Sequence, residues 1–371
     1  MTSESGSGTV PEPGRATGWH RLRVAAVHPL TEEAVAIGLE VPTELAGTFA
    51  HRAGQHVTVR HVLAGREIRR SYSVCPPPGR AGELRLVVKR LGPDGFGAYA
   101  TDRLAAGDEL ELAPPTGDFG LADRPGAHHV MVAGGSGITP LHSMAAAALR
   151  RDPDCRVSLV YSNRTARSTL LADELADLKD AHPARFFALY VLTRETREAE
   201  LLSGRMDGDR LPRLLALLGA APGERTRFYL CGPWGLLDGA RRALAACGAD
   251  PSRVRFELFT AGGEPAERPA PRGAEAGGRG ERITARLWGR TTVSAMEAGD
   301  QVVLDAVLRA RPETPYSCRD GLCGACRAKV VSGSVAMGRQ YALGEPELAA
   351  GYTLTCRARP QSQDVGLDFD A

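Results

Sequence analysis

Four of the eight cysteines constrain this chain more than any other feature. Cys318, Cys323 and Cys326 lie in CRDGLCGAC (318–326), a C-x4-C-x2-C run, and Cys356 follows in TLTCRAR. This is the spacing of a plant-type [2Fe–2S] centre. Three thiolates then come from one loop wrapped around the cluster, and the fold must carry the fourth back to it. Gly321 and Gly324 supply the positive φ angles and close backbone approach that such a loop needs. Zinc is the alternative, although its structural sites favour two short Cys-x2-Cys pairs and only one is present. Cys75, Cys155, Cys231 and Cys247 are scattered, and a chain of 371 residues is a poor candidate for an extracellular disulfide framework.

That length suggests two or three domains. Residues 261–281, AGGEPAERPAPRGAEAGGRGE, hold almost no large apolar side chain and read as a linker. As a flexible coil they would span roughly 25 Å, enough for a C-terminal unit over 282–371 to dock and undock. A spacer holding one fixed arrangement is equally compatible with the composition. The opening MTSESGSGTVPEPGRATG lacks a basic start and apolar run, so it predicts a disordered tail over 1–18 and a cytoplasmic protein. No apolar run approaches the ~20 residues of a membrane span. Lys and Arg number 46 against 44 Asp and Glu, which favours neither nucleic acid nor an anionic membrane as partner.

From Trp19 to about residue 123 the chain alternates in short segments such as HVTVRHVL (56–63) and ELRLVVKR (83–90), separated by Gly/Pro/Asp turns. The pattern predicts a small antiparallel β-barrel. Over 124–260 the rhythm changes. HHVMVAG (128–134), VSLVYS (157–162), FFALYVLT (186–193), RFYLCG (227–232) and VRFELF (254–259) alternate with helical stretches, which predicts a parallel sheet in a doubly wound α/β domain. After the linker, ITARLWG, a helix near 301–309 and RAKVVSG indicate a small α+β domain.

AGGSGITP (133–140) stands where a strand meets a helix, so its amides and the positive helix end suit a pyrophosphate. Pro140 occupies the place of the last glycine of a dinucleotide fingerprint, and a structural turn explains the motif alone equally well. In RRSYS (69–73) an Arg can hold a phosphate, a Tyr can lie on a ring and a Ser can hydrogen-bond a ring edge. Out of context the segment is also an ordinary strand. CGPW (231–234) ends a strand at the sheet edge where ligands bind in such domains. Cys231 taken singly reads as a core thiol. His56, His128, His129 and His142 lack ligand spacing and read as structural or exposed.

RRSYS, LVVKR, GGSGITP, YSNRT, CGP and ELF, in this order, resemble the ferredoxin–NADP reductase superfamily. With the C-terminal cysteine unit, 19–371 resembles oxygenase reductases, in particular those serving bacterial phenylacetyl-CoA 1,2-epoxidases. SNRTARSTLLADELADLKDAHPARF (162–186), VAMGRQYALGEPELAAGYTLTCRARP (335–360) and the ending DVGLDFDA carry that closer likeness. The resemblance implies a barrel that binds FAD, an NADP-binding α/β domain and a β-grasp [2Fe–2S] ferredoxin domain.

It further implies that Arg70, Tyr72 and Ser73 bind FAD, that Val88 and Lys89 line it, and that a loop Phe96-Gly97-Ala98 offers amides to phosphate. Gly97 departs from the serine frequent in the family. Gly134, Gly135, Gly137 and Thr139 would hold the nicotinamide nucleotide, with Asn163 and Arg164 near its adenosine ribose and Cys231 and Gly232 near the nicotinamide. Glu257 and Phe259 would end the domain beside the flavin. Arg164 and Arg167 favour NADPH through its 2′-phosphate, and NADH is the alternative. Ser73, Thr139, Cys231 and Glu257 are the candidate catalytic residues, orienting the flavin or moving its proton. The implied route runs from NADPH through FAD and [2Fe–2S] to an oxygenase, either a multisubunit phenylacetyl-CoA epoxidase or a steroid or aromatic-ring hydroxylase. A redox-sensing subunit without turnover and a zinc-stabilised nucleotide-binding module remain as readings from other classes.

Arg319, Arg327, Lys329, Arg357 and Arg359 lie close in sequence to the cluster cysteines. If they share a face, the acceptor should present an acidic patch.

Overall fold

The computed structural model describes residues 18–75, 82–206, 208–260 and 280–371. Apart from Gly18, Gly280 and Glu281, the expected tail and linker lie outside these residues.

The first unit contains β1 (His20–Thr31), β2 (Ala34–Glu40), β3 (His56–Leu63), β4 (Arg66–Ser73), β5 (Glu83–Lys89), helix α1 (Phe96–Asp102) and β6 (Glu109–Leu112). Its six strands pair in the order β4-β3-β6-β1-β2-β5, all antiparallel. A bridge between Val74 and Leu86 brings the two ends together into the expected barrel. Leu22, Ile37, Val57, Val59, Leu86, Val88, Leu110 and Leu112 fill its interior.

The second unit contains β7 (His128–Gly134), α2 (Ile138–Arg151), β8 (Arg156–Asn163), α3 (Ala172–Ala181), β9 (Phe186–Leu192), α4 (Arg210–Leu217), β10 (Thr226–Pro233), α5 (Trp234–Ala246) and β11 (Val254–Thr260). The strands are parallel in the order β11-β10-β7-β8-β9. Residues 129–134 of β7 are all buried because helices cover both faces of the sheet, α2 and α3 on one side and α4 and α5 on the other. Strand order reverses between β7 and β10, so the loops after these two strands open a crevice at their C-terminal edge.

The third unit is built from β12 (Arg282–Leu287), β13 (Arg290–Ala295), α6 (Val303–Ala310), β14 (Arg327–Ser332), β15 (Val335–Met337), α7 (Glu345–Ala349), β16 (Tyr352–Leu354), β17 (Ala358–Pro360) and β18 (Asp364–Asp368). Its main sheet runs β13-β12-β18-β14-β16, with β12 and β18 parallel, and β15 pairs with β17. In β12, Ile283, Ala285 and Leu287 alternate as buried residues, the first two packed with α6, the period-two pattern of a sheet covered on one face.

The barrel and the α/β unit share a core. Ala34, Cys75, Val87 and Phe119 pack with Met131, Ile138, Leu141 and Met144. Polar contacts cross the same boundary: Arg85 donates to Glu174 at 2.8 Å, and Cys75 Sγ lies 3.3 Å from His142 Nδ1. Burial pushes the Cys75 thiol up to about 12 and His142 down to about 4, so both are neutral.

Candidate functional site

The C-terminal edge of the parallel sheet gathers most of the sequence-derived candidates. Parallel pairing sets Ala133, Cys231 and Glu257 side by side across β7, β10 and β11. Gly134 ends β7, and Gly135 and Gly137 form the turn into α2, where Thr139 donates back to Ser136 O at 3.0 Å. A Cβ on Gly137 would lie 2.2 Å from Cys231 O, so only glycine lets this turn press against β10. Gly232 follows directly after Cys231 on the same strand. Burial, reinforced by the neighbouring Glu257 charge, drives the Cys231 thiol well up and keeps it protonated. Phe259 packs partly buried beside this edge.

Glu257 faces the barrel, its Oε1 3.6 Å from His56 Nδ1. Its Oε2 is buried without a hydrogen-bond partner among the described residues, as are Ser73 Oγ and Asn163 Nδ2. Orphaned buried polar atoms carry a desolvation cost of about 1–3 kcal/mol each unless a ligand or solvent satisfies them. Ser73 and Asn163 stand at the C-terminal ends of β4 and β8 and Glu257 on β11, positions whose unpartnered atoms suit a polar cofactor.

On β4, Arg70 is exposed and Tyr72 half-buried on one face, while Ser73 is buried at the strand's end. Lys89 and Arg164, one from each unit, both lie 3.5 Å from the same Glu33 carboxylate oxygen. Arg164 is thus held toward the barrel, and Arg167 stands exposed in the next turn. Val88 turns its side chain into the barrel interior rather than the crevice. Phe96-Gly97-Ala98 is the first turn of α1 and not an open loop. A Cβ on Gly97 would lie 2.7 Å from Lys89 O, so the close approach of α1 to β5 explains why glycine replaces serine there.

The four cluster cysteines form two pairs. Cys318 interacts with Cys323 and Cys326 with Cys356. A hydrogen bond from Cys323, assisted by the amides of Asp320 and Leu322, holds the Cys318 thiol down to about 6. Gly321 and Gly324 have φ of +72° and +70°, as expected of the loop. No three His, Cys, Asp or Glu side chains among the described residues gather around a single-ion position. Two thiol pairs are compatible with two bridged irons, each taking one pair.

The basic face expected around the cluster is not present as a free patch. Arg357 is buried and donates to Arg339 O, Arg319 pairs with Asp305 at 2.8 Å, and Arg327 pairs with Glu347 at 2.9 Å. Lys329 lies over the Tyr352 ring, and Arg359 donates to Gln301 O at 3.3 Å.

Sequence reasoning missed the residues that join the third unit to the others. Trp234, directly after the CGP motif, meets Tyr341 with ring centroids 4.7 Å apart. Leu322 from the cysteine loop packs into the same apolar cluster as Leu237 and Leu258, with Cys318 partly buried against it. Arg69 reaches Pro312 and Thr314 from the barrel. The doubled arginine of RRSYS and the Trp after CGP were the available signals. A cavity of about 150 Å³ around Pro222 and Arg253 and one of about 380 Å³ beside Arg69 both lie away from the sheet edge. Converging polar groups, not depth, define the crevice.

Residues 22–120 match the oxidoreductase FAD-binding domain, 131–242 the oxidoreductase NAD-binding domain and 288–361 the 2Fe-2S iron-sulfur cluster binding domain. The chain is 38% identical to a 1,2-phenylacetyl-CoA epoxidase subunit of Escherichia coli (strain K12), over 96% of its own length and 99% of that protein. It belongs to the FAD- and [2Fe–2S]-dependent oxygenase reductase family. This reductase is also 32% identical to the ferredoxin reductase component of 3-ketosteroid-9-alpha-monooxygenase of Rhodococcus rhodochrous, covering 94% of the chain and 96% of that component. Its fold matches phthalate dioxygenase reductase with a TM-score of 0.62 at 24% identity, covering 95% and 98% of the two chains. The reductase is an NAD(P)H-dependent oxidoreductase, the electron-transfer component of an oxygenase system. Among the described residues no helix is long and apolar enough to cross a membrane.

Proposed function

We propose that this reductase carries electrons from NADPH to a phenylacetyl-CoA epoxidase in the cytoplasm. Its units would be a FAD barrel (19–123), a nicotinamide-nucleotide domain (124–260) and a ferredoxin domain (282–371), with 261–281 as linker and 1–18 as tail. One observation carries the redox reading: the sheet edge bearing Thr139, Cys231 and Glu257 faces the barrel at His56 and the cysteine loop through Trp234 and Tyr341. Collinear identity with the Escherichia coli epoxidase protein supports the partner.

Arg70 would hold the FAD pyrophosphate, and Tyr72, Lys89 and Ser73 would surround the ring system, with the orphaned Ser73 hydroxyl as its polar contact. Backbone amides at Gly97 and Ala98, in the first turn of α1, would be offered to phosphate. The Gly134–Gly137 turn and α2 would take the nicotinamide nucleotide, Asn163 and Arg164 its ribose, and Cys231 and Gly232 its nicotinamide. Cys318, Cys323, Cys326 and Cys356 would ligate the cluster. When bound, FAD supplies the exchange between a two-electron hydride and the single electrons that an iron–sulfur centre takes. The neutral Cys231 thiol would exclude water beside the nicotinamide, and the Glu257 carboxylate, with one oxygen unpartnered among the described residues, would hold or move a proton. NADPH is preferred through Arg164 and Arg167, although Glu33 competes for Arg164.

The test is NADPH-driven epoxidation of phenylacetyl-CoA by the purified oxygenase subunits with and without this chain. Product formed only in its presence supports both chemistry and partner. Flavin and cluster reduction without product would shift the partner to another oxygenase, the steroid hydroxylase type being favoured by the Rhodococcus likeness.

A further inference from the structure

We propose that Arg69 is a positioning residue that holds the ferredoxin domain in its electron-receiving arrangement. The inference rests on the FAD-to-cluster route proposed above.

Arg69 is a barrel residue whose guanidinium is largely enclosed by the third unit. It is 4% exposed. Nη1 donates to Thr314 O at 3.1 Å and Nη2 to Pro312 O at 3.0 Å, while Nε is fixed by Glu67 Oε1 at 2.8 Å. The Tyr316 ring covers the guanidinium at 4.2 Å, and Trp19 lies 4.9 Å away. Glu67 Oε1 also lies 3.5 Å from the Tyr316 hydroxyl. One planar fork thus grips residues 312–316, the segment that runs directly into Cys318.

The placement ties the two redox sites together. Arg69 and Arg70 are consecutive on β4, so their side chains leave opposite faces of the strand. Arg70 Nη1 donates to the Arg69 carbonyl at 2.8 Å. The arginine assigned to the flavin pyrophosphate and the arginine gripping the cluster segment therefore share one rigid piece of backbone.

The second contact, Trp234 and Leu258 against Tyr341 and Leu322, is apolar and non-directional. It attaches the domain without fixing its rotation. Beside Arg69 the boundary stays open as a crevice of about 380 Å³ lined by Arg60, Leu308 and Glu313. Directional hydrogen bonds, not continuous packing, therefore set the orientation there.

Anaerobic rapid mixing of the full-length holoprotein with NADPH separates the two steps, with flavin bleaching read by absorbance and cluster reduction by freeze-quench EPR. In Arg69→Met, flavin bleaching should stay near the wild-type rate. Cluster reduction should slow by about tenfold, equivalent to about 1.4 kcal/mol of docking free energy. Arg69→Lys should fall between, since an ammonium keeps the charge but loses the fork. Glu67→Ala, at an exposed position whose carboxylate fixes only Nε, should slow the same step more mildly. The cluster's midpoint potential and EPR signature should not change. Unchanged cluster reduction in Arg69→Met overturns the proposal, as does an equal fall in both steps. A wild-type cluster that never takes electrons from the NADPH-reduced flavin would sink the route itself.

Discussion

Glu257 on the last strand of the α/β unit and His56 on the barrel meet with Oε1 3.6 Å from Nδ1, across the boundary between two units that share a core. The other carboxylate oxygen has no partner among the described residues and lies on a residue paired in register with Cys231. The acid thus faces His56 with one oxygen and keeps the other unpartnered among the described residues, at the proposed junction of the nicotinamide and flavin sites.

Glu257→Gln should therefore retain FAD but slow flavin bleaching by NADPH roughly 100-fold, the lower end for a positioned proton-handling group. Single-turnover absorbance measures it. An unchanged rate would remove Glu257 from the chemistry and leave it as a contact between domains.

Gly137→Ala places a methyl group 2.2 Å from Cys231 O, a backbone atom that cannot turn aside. The substitution should destabilise the α/β unit by about 1–3 kcal/mol, the usual range for overpacking. Thermal unfolding reads this as a lowered midpoint, accompanied by weaker NADPH binding.

Cys318→Ser should abolish the cluster while sparing the flavin, because a plant-type centre takes all four of its ligands from cysteine thiolates and none from the barrel. Iron and acid-labile sulfide should vanish, and NADPH should still bleach the flavin. Iron retained in full would show that the cysteine pairs do not ligate as assigned.

His129 and His142 are buried and pushed down to about 4, the desolvation of each ring being the main cause. Both are neutral in the folded chain but take up protons near the ordinary 6.5 when unfolded. The unfolded state therefore binds more protons between pH 6.5 and 4, so stability is full above that window and falls as pH drops through it. Each ring contributes up to about 1.4 kcal/mol per pH unit. Urea midpoints at descending pH measure the slope, and His142→Gln should flatten it. A wild-type midpoint that stayed level across the window would show that neither ring is buried in its neutral form.

The local pattern of the chain determined a great deal. Parallel strands covered on both faces must be apolar throughout, so HHVMVAG was legible as β7 with both ends correct. Helix α5 was equally clear over 234–246, and the cysteine spacing specified a loop whose glycines have the required positive φ. These features depend on neighbours a few residues away, which a sequence displays directly.

What the tertiary structure alone decided were contacts between residues far apart in the chain. Arg357 was legible as a charge near the cluster, but its burial depends on loops folded over it from around Gly321 and Gly338. Gly97 looked like a lost hydroxyl until the approach of α1 to Lys89 O showed that a side chain would not fit. Arg69 and Arg70 are the same residue type at adjacent positions. The strand's pleat turns one toward solvent, while residues 312–316 close over the other from more than two hundred positions away.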